Sequence, residues 1–276
     1  MKSKIDLSIL ILNYNTKNLL RLCLKNLLSL KFDFDHEIIV VDNNSVDGSA
    51  EMVKETYPAI KVIESKKNIG HAAGNNLGIK QAQGEYILLL NTDIIIADIK
   101  DIIKVLNFMD QRPEINIVGP KLLNGNGTIQ NSCYRRYKFF TPIYRRTPLG
   151  ELKFARKELQ RHLMWDFDHQ ETKEVEWILG ACMFIRKDFL DKFGYFDEDF
   201  FLYFADYELC DRVWQNGFKV YYFADTNIIH YHKRESAQGA IWGGFGSFFN
   251  YTTRIHLKDW IKYLTKKRNY ETKIER

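Results

Sequence analysis

Asn91, Thr92 and Asp93 follow directly on the apolar run "EYILLL" (85–90). A carboxylate is costly to bury unpaired, so one placed where a buried strand ends belongs at an edge where a charged group can meet it. Three earlier apolar runs end in the same way. "LSILIL" (7–12) leads into "NYNT" (13–16), "EIIVVD" (37–42) into "DNNSVDGS" (42–49), and "IKVIES" (60–65) into "KKNIGHAAGNN" (66–76). Any one of these is satisfied by a turn or a helix cap, where Asn, Asp, Ser and Gly belong anyway. Four in succession on one edge of one sheet point to a binding edge, because open α/β sheets hold ligands beyond the carboxyl ends of their strands.

The glycine-rich phosphate loops are absent: no G-x-x-x-x-G-K-[ST], and no G-x-G-x-x-G after the first strand. A nucleotide held here would be gripped by side-chain amides and carboxylates, with a metal offsetting its diphosphate. Asp93 suits that metal. A hard divalent cation such as Mg²⁺ takes one or two carboxylates and leaves positions for phosphate oxygens.

The elements that must position these groups alternate. Apolar runs at 7–12, 37–42, 60–65, 85–90 and 115–119 are separated by helix-like stretches at 16–30, 46–57, 71–84 and 99–111. Alternation of this kind predicts a parallel sheet covered on both faces, and the near-continuous apolar strands agree. Residues 132–172 break the pattern. They are rich in Arg, Lys and aromatic residues without a clean period, as a lid or binding insertion would be. Order returns at 174–194 with two strand-like runs and a short helix, then a helix over 205–217 and a strand over 218–223. "RIHLKDWIKYLTKKR" (254–268) is apolar on one side and basic on the other.

Composition narrows the classes. A chain of 276 residues that is 45% hydrophobic can bury a large core, and a net charge of +5 is too modest to imply a nucleic-acid partner. The four cysteines, Cys23, Cys133, Cys182 and Cys210, lack metal spacing and fit a reduced, cytoplasmic setting. The start "MKSKIDLSILILNYN" reads as a first strand rather than a leader, and no window offers the roughly 18 apolar residues of a membrane span.

"SILILNYNT", "VVDNNSVDGS", "KNIGHAAGNNLGI" and "GEYILLLNTDI" resemble, in that order, the successive signatures of family 2 inverting glycosyltransferases with the GT-A fold. The second and third are closest to the rhamnosyltransferase-like branch. The likeness continues through "LGACMFIRKDFLDKFGYFDEDFFLYFADYELCDRVWQNGFKVYY" and "IIHYHKRES", covering roughly residues 5–240. Each motif alone is weak; six in the correct order are strong. The resemblance implies a GT-A, Rossmann-like, mostly parallel central sheet flanked by helices. It divides the chain into a glycosyltransferase domain (1–240, with 132–172 as a lid or acceptor insertion) and a C-terminal amphipathic helical extension (241–276).

It also implies roles. "NTD" falls on the family's D-x-D-type motif, with Asp93 as the Mg²⁺ or Mn²⁺ ligand and Asn91 in place of the first aspartate. Asp42 matches the position that contacts the nucleobase or ribose. Asn13, Asn15, Asn44, Asn68, Asn75, Asn91 and Thr92 border the same donor pocket. His230 matches a C-terminal histidine near the metal or diphosphate; a lone histidine is more often structural, and only the resemblance promotes this one. The family's Glu-Asp pair becomes Ala205-Asp206 here, so Asp206 is the expected catalytic base, with Glu208 in reserve. Without the resemblance, Asp206 reads as a helix cap.

The expected reaction moves a sugar from a nucleoside diphosphate donor, dTDP-rhamnose by branch, to a hydroxyl of a glycan or lipid-linked acceptor in bacterial surface polysaccharide synthesis. Arg135, Arg136, Arg145 and Arg146 are candidate contacts for acceptor phosphate, with a solvated charged surface the plain alternative. The basic tail could lie on the inner face of the cell membrane, pack on the domain, or pair with a second copy. Two rivals stand beside this reading. One is a non-catalytic homologue that binds nucleotide-sugar or glycan, motivated by Ala205. The other is a sugar-phosphate nucleotidyltransferase, disfavoured because "NYNTKNLL" has no glycine.

Overall fold

The computed structural model describes residues 5–231 and 251–274, with side chains over 5–231 and 253–266. The expected boundary at residue 240, the "HKRES" end of the last motif and the basic Lys267 and Arg268 side chains lie outside this description.

The first half follows the alternation. Its elements are β1 (Leu7–Asn13), α1 (Lys17–Ser29), β2 (His36–Asp42), α2 (Ser49–Thr56), β3 (Lys61–Glu64), α3 (His71–Ile79), β4 (Tyr86–Asn91), β5 (Ile94–Ile95), α4 (Ile99–Asp110) and β6 (Ile115–Leu123). A short β7 (Ile129–Gln130) precedes the insertion, which holds β8 (Cys133–Tyr134), α5 (Thr141–Arg146), a 3₁₀ turn (Pro148–Glu151) and α6 (Lys153–His162). The chain ends with β9 (Lys173–Glu174), β10 (Trp177–Ile178), β11 (Cys182–Arg186), α7 (Lys187–Phe193), α8 (Ala205–Gln215), β12 (Lys219–His230) and α9 (Tyr251–Ile274).

The main sheet runs β3-β2-β1-β4-β11-β6-β12-β5. β1, β2, β3 and β4 are parallel, and β6 is parallel to β12. β11 lies antiparallel between β4 and β6. It arrives from the insertion rather than through a helical crossover, so it is free to run the other way.

Strand side chains alternate between two cores. Leu7, Ile9 and Ile11 of β1 and Leu88 and Leu90 of β4 join one cluster with the Leu20, Cys23, Leu24 and Leu27 stripe of α1. The i, i+3, i+4, i+7 spacing of that stripe is why α1 is a helix that buries one face. Leu10 and Leu89 point the other way, into a cluster with α8 and the aromatic residues of the insertion. Burial on both faces explains the unbroken apolar strands. All four cysteines are buried and free.

The insertion is more ordered than its sequence suggested. Two short helices and a strand pair, β8 with β10, hold it against the second core. The tail helix α9 spends its apolar face on the domain itself, since Trp260 and Tyr263 are buried in that cluster. Of the three arrangements open for the tail, packing on the domain is the observed one. No helix among the described residues is long and apolar enough to cross a membrane.

Candidate active site

Parallel register brings the strand ends together: Asn13 of β1 lies beside Asp42 of β2, and Leu12 beside Asn91 of β4. From there a hydrogen-bonded chain crosses three elements. Asn13 Nδ2 donates to Asp42 Oδ2 at 2.8 Å. Thr16 Oγ1 donates to Asn13 Oδ1 at 2.7 Å and lies 3.0 Å from Thr92 Oγ1. The other Asp42 oxygen accepts from Ser45 N at 2.7 Å. Asn15 adopts φ 54°, and its Oδ1 accepts from Val46 N at 2.8 Å, tying the first loop to the second.

Asn44 is exposed and takes the left-handed φ of 67° that its turn requires. Its neighbour Asn43, which sequence reasoning passed over, is buried. Asn43 Nδ2 donates to Asn68 Oδ1 (3.0 Å) and Gly70 O (3.1 Å), while its Oδ1 accepts from Ile69 N (3.0 Å). Asn68 thus helps to shape the loop before α3. Asn75 is buried on α3, with Nδ2 3.0 Å from His71 O. Burial holds the His71 imidazole neutral, its pKa down to about 4. Asn76, also unforeseen, clasps the distant loop before α8: Nδ2 donates to Phe196 O (2.8 Å) and Glu198 Oε1 (2.9 Å), and Oδ1 accepts from Phe196 N (3.0 Å).

Asp93 lies in the short link between β4 and β5. Because β5 pairs with the end of β12, Ile94 stands opposite His230, and Tyr231 N donates to Asp93 O at 2.8 Å. The His230 Nε2 to Asp93 Oδ1 separation is 3.3 Å. His230 Nδ1 lies 2.8 Å from Gln130 Oε1. The two side chains are thus close enough to share one divalent cation, and a hydrogen-bonded second nitrogen is the usual companion of a metal-bound histidine. The residues fit a metal that keeps its other positions for phosphate and water; no group of three or more His, Cys, Asp or Glu is present among the described residues.

Asp206 opens α8. Its carboxylate accepts from Gly180 N (3.1 Å) and Tyr207 N (2.8 Å). Burial pushes its pKa upward, against those two N–H groups and the nearby charge of Arg145. One residue along, Ala181 O accepts from Asn91 N at 2.9 Å, so the base candidate and the "NTD" segment share one short piece of backbone. Ala205, where a glutamate was expected, is buried in the core. Glu208 is turned elsewhere: residues two apart on a helix do not share a face. It bonds Arg212 at 2.8 Å, and Arg212 in turn donates to the carbonyls of Phe193, Gly194 and Tyr195.

The four arginines divide into two pairs. Arg135 meets Asp166 at 2.9 Å and Arg136 meets Asp211 at 3.3 Å. Arg145 and Arg146 are half-buried with no carboxylate partner among the described residues. Arg145 Nη1 lies 2.9 Å from Tyr137 Oη and 3.2 Å from His162 Nε2, and Arg146 lies over the Tyr203 ring at 5.2 Å. Around them stand Tyr134, Tyr137, Trp177, Phe204 and Tyr207, with ring centroids 4.2–5.8 Å apart. His162 and His256 close the box. Burial first, then the arginine charges, keep both neutral, His162 down to about 3. The Nδ1 atoms of both, and Arg146 Nε, have no hydrogen-bond partner among the described residues. A separate cavity of about 790 Å³, lined by Arg135, Asp166, Lys173 and Glu174 among others, lies away from the strand ends.

Known proteins show which family and fold this chain shares. Residues 8–192, well over half of the chain, match the family described as glycosyl transferase family 2. The low-salt glycan biosynthesis hexosyltransferase Agl10 of Haloferax volcanii is 30% identical over 230 residues, covering 82% of this chain and 67% of the relative. N-acetylglucosaminyl-diphospho-decaprenol L-rhamnosyltransferase of Mycobacterium tuberculosis (strain CDC 1551 / Oshkosh) is 22% identical over 228 residues, covering 76% and 70%. Among solved structures, GalNAc-T7 with UDP, GalNAc and Mn²⁺ superposes with a TM-score of 0.62 at 15% identity, over 85% of this chain and 45% of that one. The chain thus spans less than half of that structure and about two thirds of the two relatives. The fold is GT-A, and the chain belongs to glycosyl transferase family 2.

Proposed function

We propose that this protein transfers one sugar, with inversion, from a nucleoside diphosphate-sugar to a hydroxyl of a glycan or lipid-linked acceptor used in surface polysaccharide synthesis. The observation that carries the reading is the convergence at one sheet edge. Asp42, Asn13 and Thr92 form one hydrogen-bonded line, Asp93 faces His230, and Asp206 hangs from the backbone that pairs with Asn91. Asp42 and the flanking asparagines would hold the nucleoside, and Asp93 with His230 would hold Mg²⁺ or Mn²⁺. Such an ion, when bound, stabilises the charge that grows on a departing diphosphate. The UDP and Mn²⁺ bound to GalNAc-T7 support the donor class, and the diphospho-decaprenol in the mycobacterial relative's name supports the acceptor class. The rhamnosyltransferase relative favours a dTDP-rhamnose donor.

Asp206 takes the proton of the acceptor hydroxyl as that oxygen bonds to the anomeric carbon, and the carbon–oxygen bond to the diphosphate breaks on the opposite face. A base must be ionised to work. Because burial raises the Asp206 pKa, activity falls with acid at a higher pH than for a carboxylate in water. Arg145 and Arg146 are the pair left to meet acceptor phosphate. The absence of the expected glutamate at Ala205 is what motivates the non-catalytic alternative.

A thermal-shift panel of nucleoside diphosphate-sugars with and without Mn²⁺ tests the donor and metal. Saturation at a hundred times the dissociation constant raises apparent stability by about 2.7 kcal/mol. No metal-dependent shift with any donor would overturn the proposal. Tight donor binding without turnover on any acceptor would favour the binding-protein reading.

A further inference from the structure

The outer side of the insertion carries a contiguous aromatic surface. Phe139, Phe140 and Phe154 are 59%, 52% and 63% exposed. Ring contacts join them through Tyr144: Phe139 to Phe140 at 4.9 Å, Phe140 to Tyr144 at 6.1 Å, and Tyr144 to Phe154 at 5.9 Å. At the inner end Phe139 packs on the buried Trp260 of α9 at 5.1 Å, so the row is fixed to the core. Leu149 and Leu152, also exposed, lie on the link between α5 and α6. Exposed apolar residues scattered singly are ordinary, whereas a connected patch marks a surface that is covered in use.

We propose that this face docks on a bilayer containing anionic lipid. Phe154 is flanked on α6 by exposed Lys153, Arg156 and Lys157, with Glu151 the one acidic residue between 138 and 157. Aromatic rings bounded by cations suit the boundary between headgroups and acyl chains, and each cation near an anionic surface strengthens binding roughly five-fold. A second copy of the chain fits less well, because a two-fold contact would set these cations against their own kind. α5 links the surface to the site. It carries Tyr144 in the aromatic row and Arg145 beside Tyr137 and His162, so an acceptor anchored in the bilayer would reach Asp206 from the docked side. That last consequence rests on the proposed function; the docking does not.

Co-sedimentation of the full chain with vesicles tests it. Vesicles of phosphatidylcholine mixed with phosphatidylglycerol are expected to bind the protein, with loss on adding salt; phosphatidylcholine alone is expected not to. The F139S/F140S/F154S variant should abolish binding, and K153E/K157E should weaken it by about 25-fold or more. Both change exposed side chains, and thermal melts matching the parent verify the fold. A parent that ignores anionic vesicles, or variants that bind as the parent does, would overturn the proposal. Light scattering that shows a parent dimer broken by F139S/F140S/F154S, without vesicle binding, assigns the face to a second copy. Because the vesicles hold no donor or acceptor, binding with no donor-dependent thermal shift leaves the docking intact and removes the proposed function.

Discussion

The two halves of the candidate site are built on different principles. On the proposed donor side, Asn13, Asp42, Asn43, Thr16 and Thr92 answer one another's hydrogen-bonding needs at the ends of rigid parallel strands. On the proposed acceptor side, two guanidinium groups and two neutral histidines crowd an aromatic box, and Asp206 feels the charge of Arg145. The first half is complete without a ligand. The second holds positive charge partly out of water with no carboxylate paired to it among the described residues, an arrangement that costs stability until an anion arrives. Preformed polar networks fix geometry, whereas uncompensated charge stores selectivity for what must bind.

The contrast can be tested by separating the halves. Asp206→Asn should lower kcat by roughly 10²–10⁴-fold while leaving the Mn²⁺-dependent donor shift intact, measured by initial rates and thermal shift on one preparation. Equal loss of both would show that the halves act as one unit. Asp93→Ala should do the reverse first and remove the metal-dependent part of the shift, about 2.7 kcal/mol at saturation; an unchanged shift would put the metal elsewhere. Asn43→Ala strands Ile69 N and removes two donated bonds. About 1–3 kcal/mol of stability should go, seen in chemical denaturation, and weaker donor binding should follow.

A last effect is a pH slope carried by the proposed acceptor side. His162 and His256 protonate near 6.5 once unfolded but stay neutral far lower in the fold. Below that pH the unfolded chain takes up protons that the fold refuses. Stability should therefore fall as pH drops below about 6.5, by up to about 1.4 kcal/mol per pH unit for each histidine. His162→Asn should flatten the slope of melting temperature against pH, and an unchanged slope would show that His162 is not held neutral.

The donor side was legible because its signals are local. An apolar run followed by Asn or Asp names both a strand and its polar end, and parallel register does the rest. Which of Asn43 and Asn44 turns inward was not legible, since both suit a turn and the left-handed φ falls on the second. The pairing of Glu208 with Arg212 could have been found. Its spacing of four from Arg212 in "YELCDR" is the usual signature of a pair along a helix. The acceptor box could not, because Tyr137, His162, Trp177, Phe204 and His256 are gathered from five separate segments with no shared period. For the same reason the tail's partner stayed open between membrane, domain and second copy, whereas Trp260 is buried in the second core and Tyr263 packs on Tyr207 of that box.

The pairing of Asp93 with His230 has a bearing on biosynthesis. The two residues meet only when β12, among the last elements of the chain, lies against β5 near the middle. Contacts so distant in sequence form late, after the loop between them has closed. A ribosome-bound chain that has emerged only as far as α7 already contains β1 to β4 and Asp93, yet lacks both His230 and Asp206. The proposed metal pair and the proposed base therefore both depend on segments made after α7. A chain cut short there has the strand ends but neither of the residues proposed to complete the site.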